Sequence, residues 1–323
     1  MEQFRPHRSK SAAMTAPIVF VLVALTTTHL WAQQIGVARF NPELLKASIV
    51  IEVKRGEEYH PIGSGVLMMA SNEYVYVVTA NHVVPADGDV YFRIPDKDAK
   101  KPPHHHPHVA STNITHLGWV RSASDDLAMT QFIWTDEYDV KAVPLTTQTA
   151  SFEDVSVGDD VYVVGCPSSV MQMPVPILNI NLPIINAVRH GIVSAKMDDN
   201  RLLIDAFVFP GNSGGPVFWK PATGITTSGP LILTGPAIVS RPGSLIGIVL
   251  AYAPYDDVAV SQQTGQARSI SAENSGLAVV VSASRIGELF RHQELFDSLV
   301  AQRMSPPSPP PALPVLPNGT KSK

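Results

Sequence analysis

From Ser48 onward the apolar residues come in short, β-branched runs broken by turn residues. Ser48–Val53, Gly65–Met69, Val75–Thr79, Val90–Arg93, Leu127–Ile133 and Ala142–Leu145 form a first set. Asp159–Val164, Gly191–Lys196, Leu202–Asp205, Pro216–Trp219, Leu245–Ala251 and Leu277–Val281 form a second. Runs of this length, bounded by Gly, Pro, Asn and Asp, predict strands of an all-β protein, and two such sets predict two barrels. The boundary is expected near Thr146–Val157. Helical signals are confined to the ends. Asn41-Pro42-Glu43 places a cap, a first-turn proline and a first-turn acid before a short helix ending near Ala47. Within Ser282–Met304, Ile286, Leu289, Phe290, Leu295, Phe296 and Leu299 recur close to helical spacing.

The two termini read differently from the rest. Arg5, Arg8 and Lys10 precede a short apolar stretch, Ala16–Leu25, and Ala32 offers a cleavage point, so residues 1–32 predict an export signal. The apolar stretch is too short for a spanning helix, and membrane contact is expected only through an uncleaved signal. From residue 304 a proline-rich tail runs to Lys323, a composition that cannot build a core. The predicted organisation is therefore a signal (1–32), a first barrel (41–150), a second barrel (151–283), a helix (284–303) and a tail (304–323).

Charge and cysteine content narrow the function. The net charge is −4 and no basic block stands out, so a nucleic-acid partner is not expected. Cys166, the sole cysteine, excludes an internal disulfide; a chain of 323 residues is long enough to rely on its core instead. Following the apolar run Val163-Val164-Gly165, it reads as structural.

Three stretches carry candidate chemistry. Pro210-Gly211-Asn212-Ser213-Gly214-Gly215-Pro216 places a serine between glycines, where a tight turn exposes the hydroxyl and aims the Gly211 and Ser213 amides at one point. Val77-Val78-Thr79-Ala80-Asn81-His82 ends a strand on a histidine, and Asp125-Asp126 precedes another apolar run. Each alone is as well explained by a turn, a structural histidine or a cap. Together, in the order His82, Asp126, Ser213, they supply a base, an orienting acid and a nucleophile.

These segments resemble the trypsin-like serine proteases of chymotrypsin fold, most closely the HtrA/Deg-like branch, over roughly Ser48 to Leu289. Gly63-Ser64-Gly65-Val66, Val163-Val164-Gly165, Gly191–Ala195 and Gly247-Ile248-Val249 add to the resemblance. It implies two six-stranded antiparallel β-barrels with a C-terminal helix and an active site in the cleft between them. His82 would be the general base, Asp126 rather than Asp125 the orienting acid, Ser213 the nucleophile, and Gly211 and Ser213 the oxyanion donors. Phe207 falls where trypsin-type enzymes carry an aspartate at the pocket base, so a small or medium apolar residue is the expected preference, with Leu250, Ala251 and Tyr252 as the pocket wall. The implied substrate is protein or peptide, with no cofactor, and a homo-oligomer is an open alternative.

Departures from the family matter as well. No Ile-Val-Gly-Gly segment supports activation by propeptide cleavage, and no room is expected for a PDZ domain after the helix. Ser168–Asn186, residues 220–244 and residues 253–275 read as long loops. His104-His105-His106-Pro107-His108 also reads as a loop, without the fixed geometry a metal site needs, so no metal is expected. The rival function is a protease-like scaffold that binds unfolded or partner proteins without turnover. An esterase is disfavoured, because the G-x-S-x-G elbow and its Ser, acid, His order are both missing.

Overall fold

The computed structural model describes residues 40–70, 74–86, 89–108, 118–167, 186–226, 237–241 and 243–292. The expected signal, the proline-rich tail, the helix beyond residue 292 and residues 168–185 of the first long insertion lie outside them. Among the described residues, sixteen strands follow a short 3-10 helix, Pro42–Ala47, whose cap is the expected one: Asn41 accepts a hydrogen bond from the Glu43 amide at 3.1 Å.

In the first half the strands are β1 (Ser48–Arg55), β2 (Glu58–Met69), β3 (Val75–Ala80), β4 (Val90–Ile94), β5 (His104–Pro107), β6 (Val120–Arg121), β7 (Leu127–Phe132) and β8 (Val143–Pro144). They form an eight-stranded sheet in the order β5-β4-β1-β2-β3-β7-β6, with β8 added parallel to β2. The sheet is wider than the six strands the apolar runs suggest, because β5 and β6 hold on by a few pairs each and leave little apolar signature.

The second half contains β9 (Asp160–Gly165), β10 (Ala187–Lys196), β11 (Arg201–Asp205), β12 (Pro216–Trp219), β13 (Ala222–Thr226), β14 (Ala237–Arg241), β15 (Leu245–Val260) and β16 (Ala267–Ser282). Six of these close a barrel in the order β10-β11-β16-β15-β12-β9, while β13 and β14 pair as a separate hairpin. The two later insertions are thus partly strand. Residues 222–241 include that hairpin, and the 253–275 stretch continues β15 and β16 as an exposed two-stranded ribbon, with Val258 opposite Ile270.

Several strands are buried on both faces, β1 from Ser48 to Glu52 and β3 from Tyr76 to Ala80. Ile49 and Ile51 of β1 and Val77 of β3 point into one core, and Val161, Val163 and Val217 into the barrel core. The first core crosses between the halves, taking in Val164, Phe218, Ile248 and Val281 from the barrel. A helix, α1, begins at residue 283 and is described through residue 292. Its Ile286, Leu289 and Phe290 are buried in the same core, where Phe290 meets the Tyr76 ring edge-on at 5.2 Å. Among the described residues no helix is long and apolar enough to cross a membrane.

The histidine cluster is where the expectation of a loop fails. Residues 104–107 are strand β5, paired antiparallel with β4 at the sheet edge, and each imidazole has its own partner. His104 Nε2 lies 2.8 Å from Asp96, His105 Nδ1 2.6 Å from Glu52, His106 Nδ1 2.8 Å from the Tyr138 hydroxyl and His108 Nε2 2.9 Å from Thr130. Because strand neighbours point to opposite faces, the rings are distributed rather than gathered on one ion. Among the described residues no group of three or more His, Cys, Asp or Glu has the arrangement to hold a metal. Glu52 is fully buried and also meets the Arg93 guanidinium, so a carboxylate inside the sheet is paired on both oxygens.

Two measurements test these contacts. Glu52→Ala leaves Arg93 and His105 without their acid, and unfolding in denaturant is expected to show a loss of about 3–5 kcal/mol. Burial lowers the His106 and His108 imidazoles below their ordinary 6.5. A depressed imidazole means that the unfolded chain binds the proton first as pH falls, so stability declines below about pH 6.5 and is unaffected by these groups above it. Melting temperatures between pH 7.5 and 5 are expected to drop less steeply in a His106→Asn/His108→Asn variant.

Candidate active site

The serine turn is stitched to the first half at one residue. Ser64, in β2, donates from its N–H to the Ser213 carbonyl at 2.8 Å and from its hydroxyl to the Gly211 carbonyl at 2.7 Å, while accepting the Cys166 amide at 2.9 Å. Gly214 has φ +81°, and a Cβ there would lie 2.1 Å from both the Ser64 carbonyl and Thr79 Oγ1. No other residue type fits at that distance. Gly211 is also left-handed, at φ +96°, which bends the chain sharply just before the serine.

That bend leaves two donors unused. Asn212 donates its amide to Phe209 and Gly214 donates to Val249, at 2.9 and 2.7 Å. The Gly211 and Ser213 amides have no acceptor among the described residues. Inside the turn, the buried Asn212 side chain accepts from the Phe209 amide at 3.0 Å and from Arg189 at 3.4 Å, and the Arg189 guanidinium stacks over the Phe209 ring at 5.2 Å.

His82 stands on a 3-10 turn, Asn81–Val83, that ends β3, and Val83 is packed beneath it. The methyls of Val83 fill the space a side chain at position 63 would need, 2.4 Å from a Cβ there, so Gly63 lets the turn settle on β2. Asp126 holds His82 twice, at its backbone N–H (2.8 Å) and at Nδ1 (2.6 Å). In the tautomer whose Nδ1–H donates to Asp126, Nε2 is left as the basic nitrogen. Arg121 wraps the same turn, contacting the Asn81 side chain and the carbonyls of Val84 and Pro85. Ser213 Oγ, however, donates to the Leu250 carbonyl at 2.9 Å, and among the described residues no hydrogen bond joins it to His82.

The model of the trypsin-like peptidase domain matches residues 63–224. The chain belongs to the trypsin-like peptidase family. Solved structures similar to this chain include a serine endoprotease from Yersinia pestis, at 20% identity and a TM-score of 0.41 over 78% of this chain and 64% of that one. Another is the HtrA-type protease AlgW with a decapeptide, at 17% identity and a TM-score of 0.41 over 75% of this chain and 61% of that one. The chain therefore spans less than two thirds of the length of either. No curated protein sequence matches it.

The pocket residues expected from the sequence fall in two places. Leu250, buried on β15, meets Ser213 directly; Ala251 is exposed and the half-buried Tyr252 packs on the barrel core. Phe207 lies beyond β11, 58% exposed, with its ring in van der Waals range of where a Cβ on Gly276 would sit. Sequence reasoning did not single out Arg121, Arg189 or Arg285, since an isolated arginine in a rim segment carries no periodic or motif signal. Cys166 is buried, and burial pushes its thiol up to about 11.

Ser64→Ala strands the Gly211 carbonyl and the Cys166 amide, and is expected to cost about 1–3 kcal/mol in denaturant unfolding. Iodoacetamide is expected to leave Cys166 unmodified in the folded protein and to alkylate it in guanidinium, as read by intact mass.

Proposed function

We propose that the protein is an exported serine endopeptidase, with His82 as general base, Asp126 as its orienting acid and Ser213 as nucleophile. The observation that carries this reading is the double hold of Asp126 on His82, which fixes the ring with Nε2 free. In the reaction, His82 Nε2 takes the Ser213 proton as Oγ attacks the scissile carbonyl carbon. The Gly211 and Ser213 amides receive the oxyanion; collapse breaks the C–N bond as His82 protonates the departing amine, and water then releases the acyl group by the same route. The site asks for no cofactor.

Ser213 must leave the Leu250 carbonyl before His82 can take its proton. Hydrogen bonds between catalytic groups in substrate-free sites often tighten only on binding. The same contact favours the second reading, a protease-like scaffold that binds polypeptide without cleaving it. Exposed Phe207 at the pocket base supports a small or medium apolar preference over Lys or Arg. Export rests on the signal pattern of residues 1–32.

The test is fluorophosphonate labelling of the mature chain together with digestion of denatured casein. Labelling and cleavage are both expected in the wild type and absent in Ser213→Ala, and Asp126→Asn is expected to lower kcat by about 10⁴. A folded wild type that neither labels nor cleaves establishes the scaffold instead.

A further inference from the structure

The carboxylate of Asp126 has no donor other than His82 among the described residues, so its own placement depends on the backbone that carries it. That backbone is the turn 122–126. It is held from within by the Ser122 hydroxyl, which accepts the Ser124 and Asp125 amides at 3.3 and 3.2 Å, and by the Leu127 amide on the Asp125 carbonyl at 2.8 Å. From outside it is held by the Asn81 amide, which donates to the Asp126 carbonyl at 3.1 Å, and by a residue 160 positions away. Arg285, in the first turn of α1, brings Nε to 2.9 Å and Nη2 to 2.7 Å from Asp125 Oδ2, and the same Nη2 donates to the Ser124 hydroxyl at 2.8 Å. Its third nitrogen, Nη1, meets Glu288 one turn along the helix at 2.5 Å, which leaves the guanidinium little freedom to turn.

The base of this contact is rigid. Ile286, Leu289 and Phe290 fix α1 in the core shared by both halves, and the Asp125 side chain is only 7% exposed. A planar guanidinium engaged on three sides transmits the helix's position to the turn more faithfully than a lysine would. Asp125 and Asp126 share a peptide bond, so the turn that Arg285 holds at Asp125 is the one that carries Asp126.

We propose that Arg285 is a positioning residue for the active site: through Asp125 and Ser124 it holds the turn that aims Asp126 at His82. The proposal rests on the reading of His82, Asp126 and Ser213 as the reacting groups, and it makes the C-terminal helix a working part of the site.

The experiment compares Arg285→Ala, Arg285→Lys, Asp125→Asn and the Arg285→Ala/Asp125→Asn double variant. Peptide hydrolysis is expected to lose about tenfold to a hundredfold in kcat with KM within about twofold, because the reacting groups are misaligned while substrate still binds. The double variant is expected to be no worse than the weaker single one, since both cut the same link. Arg285→Lys is expected to recover part of the loss. The second readout is the downfield proton NMR signal of the His82 Nδ1–Asp126 hydrogen bond, expected in wild type and Ser213→Ala and broadened or lost in Arg285→Ala and Asp125→Asn. Wild-type kcat and an intact signal in both of those variants overturn the proposal, as does a loss of activity carried by KM with the signal unchanged. If Arg285→Ala does not fold, Arg285→Lys and Asp125→Asn carry the test. Failure of the wild type to label with fluorophosphonate counts against the function proposed for Ser213, whereas the NMR comparison still decides the role of Arg285.

Discussion

The geometry of this protein depends on how closely the serine turn presses against β2. At Gly214 the Ser64 carbonyl and Thr79 Oγ1 occupy the space of a missing Cβ, and the Ser64 hydroxyl then joins Gly211 to Cys166. Thr79 in turn donates to the Ser64 carbonyl at 2.7 Å. The Ser64 and Thr79 hydroxyls at this buried junction are both hydrogen-bonded, which is the condition for burying them. The barrel is thereby docked on the sheet at the point where chemistry is proposed, where the Gly211 and Ser213 amides have no acceptor among the described residues.

Around that junction the two halves share one core. Val164, Phe218 and Ile248 of the barrel lie in the same apolar cluster as Ile51 and Val77 of the sheet, and α1 closes it with Ile286 and Phe290. Close-packed interiors hold distances between elements better than loops do. His82 and Asp126 on the sheet side, and Ser213 on the barrel side, are therefore spaced by packing rather than by local sequence. Polar contacts refine the result at the rim: Arg121 on the His82 turn, Arg285 on the Asp126 turn and Arg189 behind the serine turn.

Strands that pack into a core are legible as apolar runs, and the expected runs lie within the observed strands or overrun them by one residue, as Leu127–Ile133, Ala142–Leu145 and Asp159–Val164 do. Strand β5 is not. Its four residues are three histidines and a proline, and they are extended because β4 offers an edge and separate partners await each ring. The ribbon formed by the ends of β15 and β16 was equally hidden, since alternation of Asp, Ser and Ala with Val and Ile gives no buried face to detect.

The sequence by itself determined the all-β class, the strands of both cores, the order His82, Asp126, Ser213 and the glycines that a tight serine turn requires. These are legible because they follow from local periodicity, backbone conformation and residue chemistry. Only the tertiary structure decided that Ser64 anchors the serine turn, that Asp126 grips His82 at both backbone and ring, that Ser213 rests on Leu250, and that Arg285 reaches Asp125 from the far end of the chain. Each of those contacts joins residues far apart in sequence, and their distances are set by how the sheet, the barrel and the helix pack, a sum over many side chains that no single segment encodes.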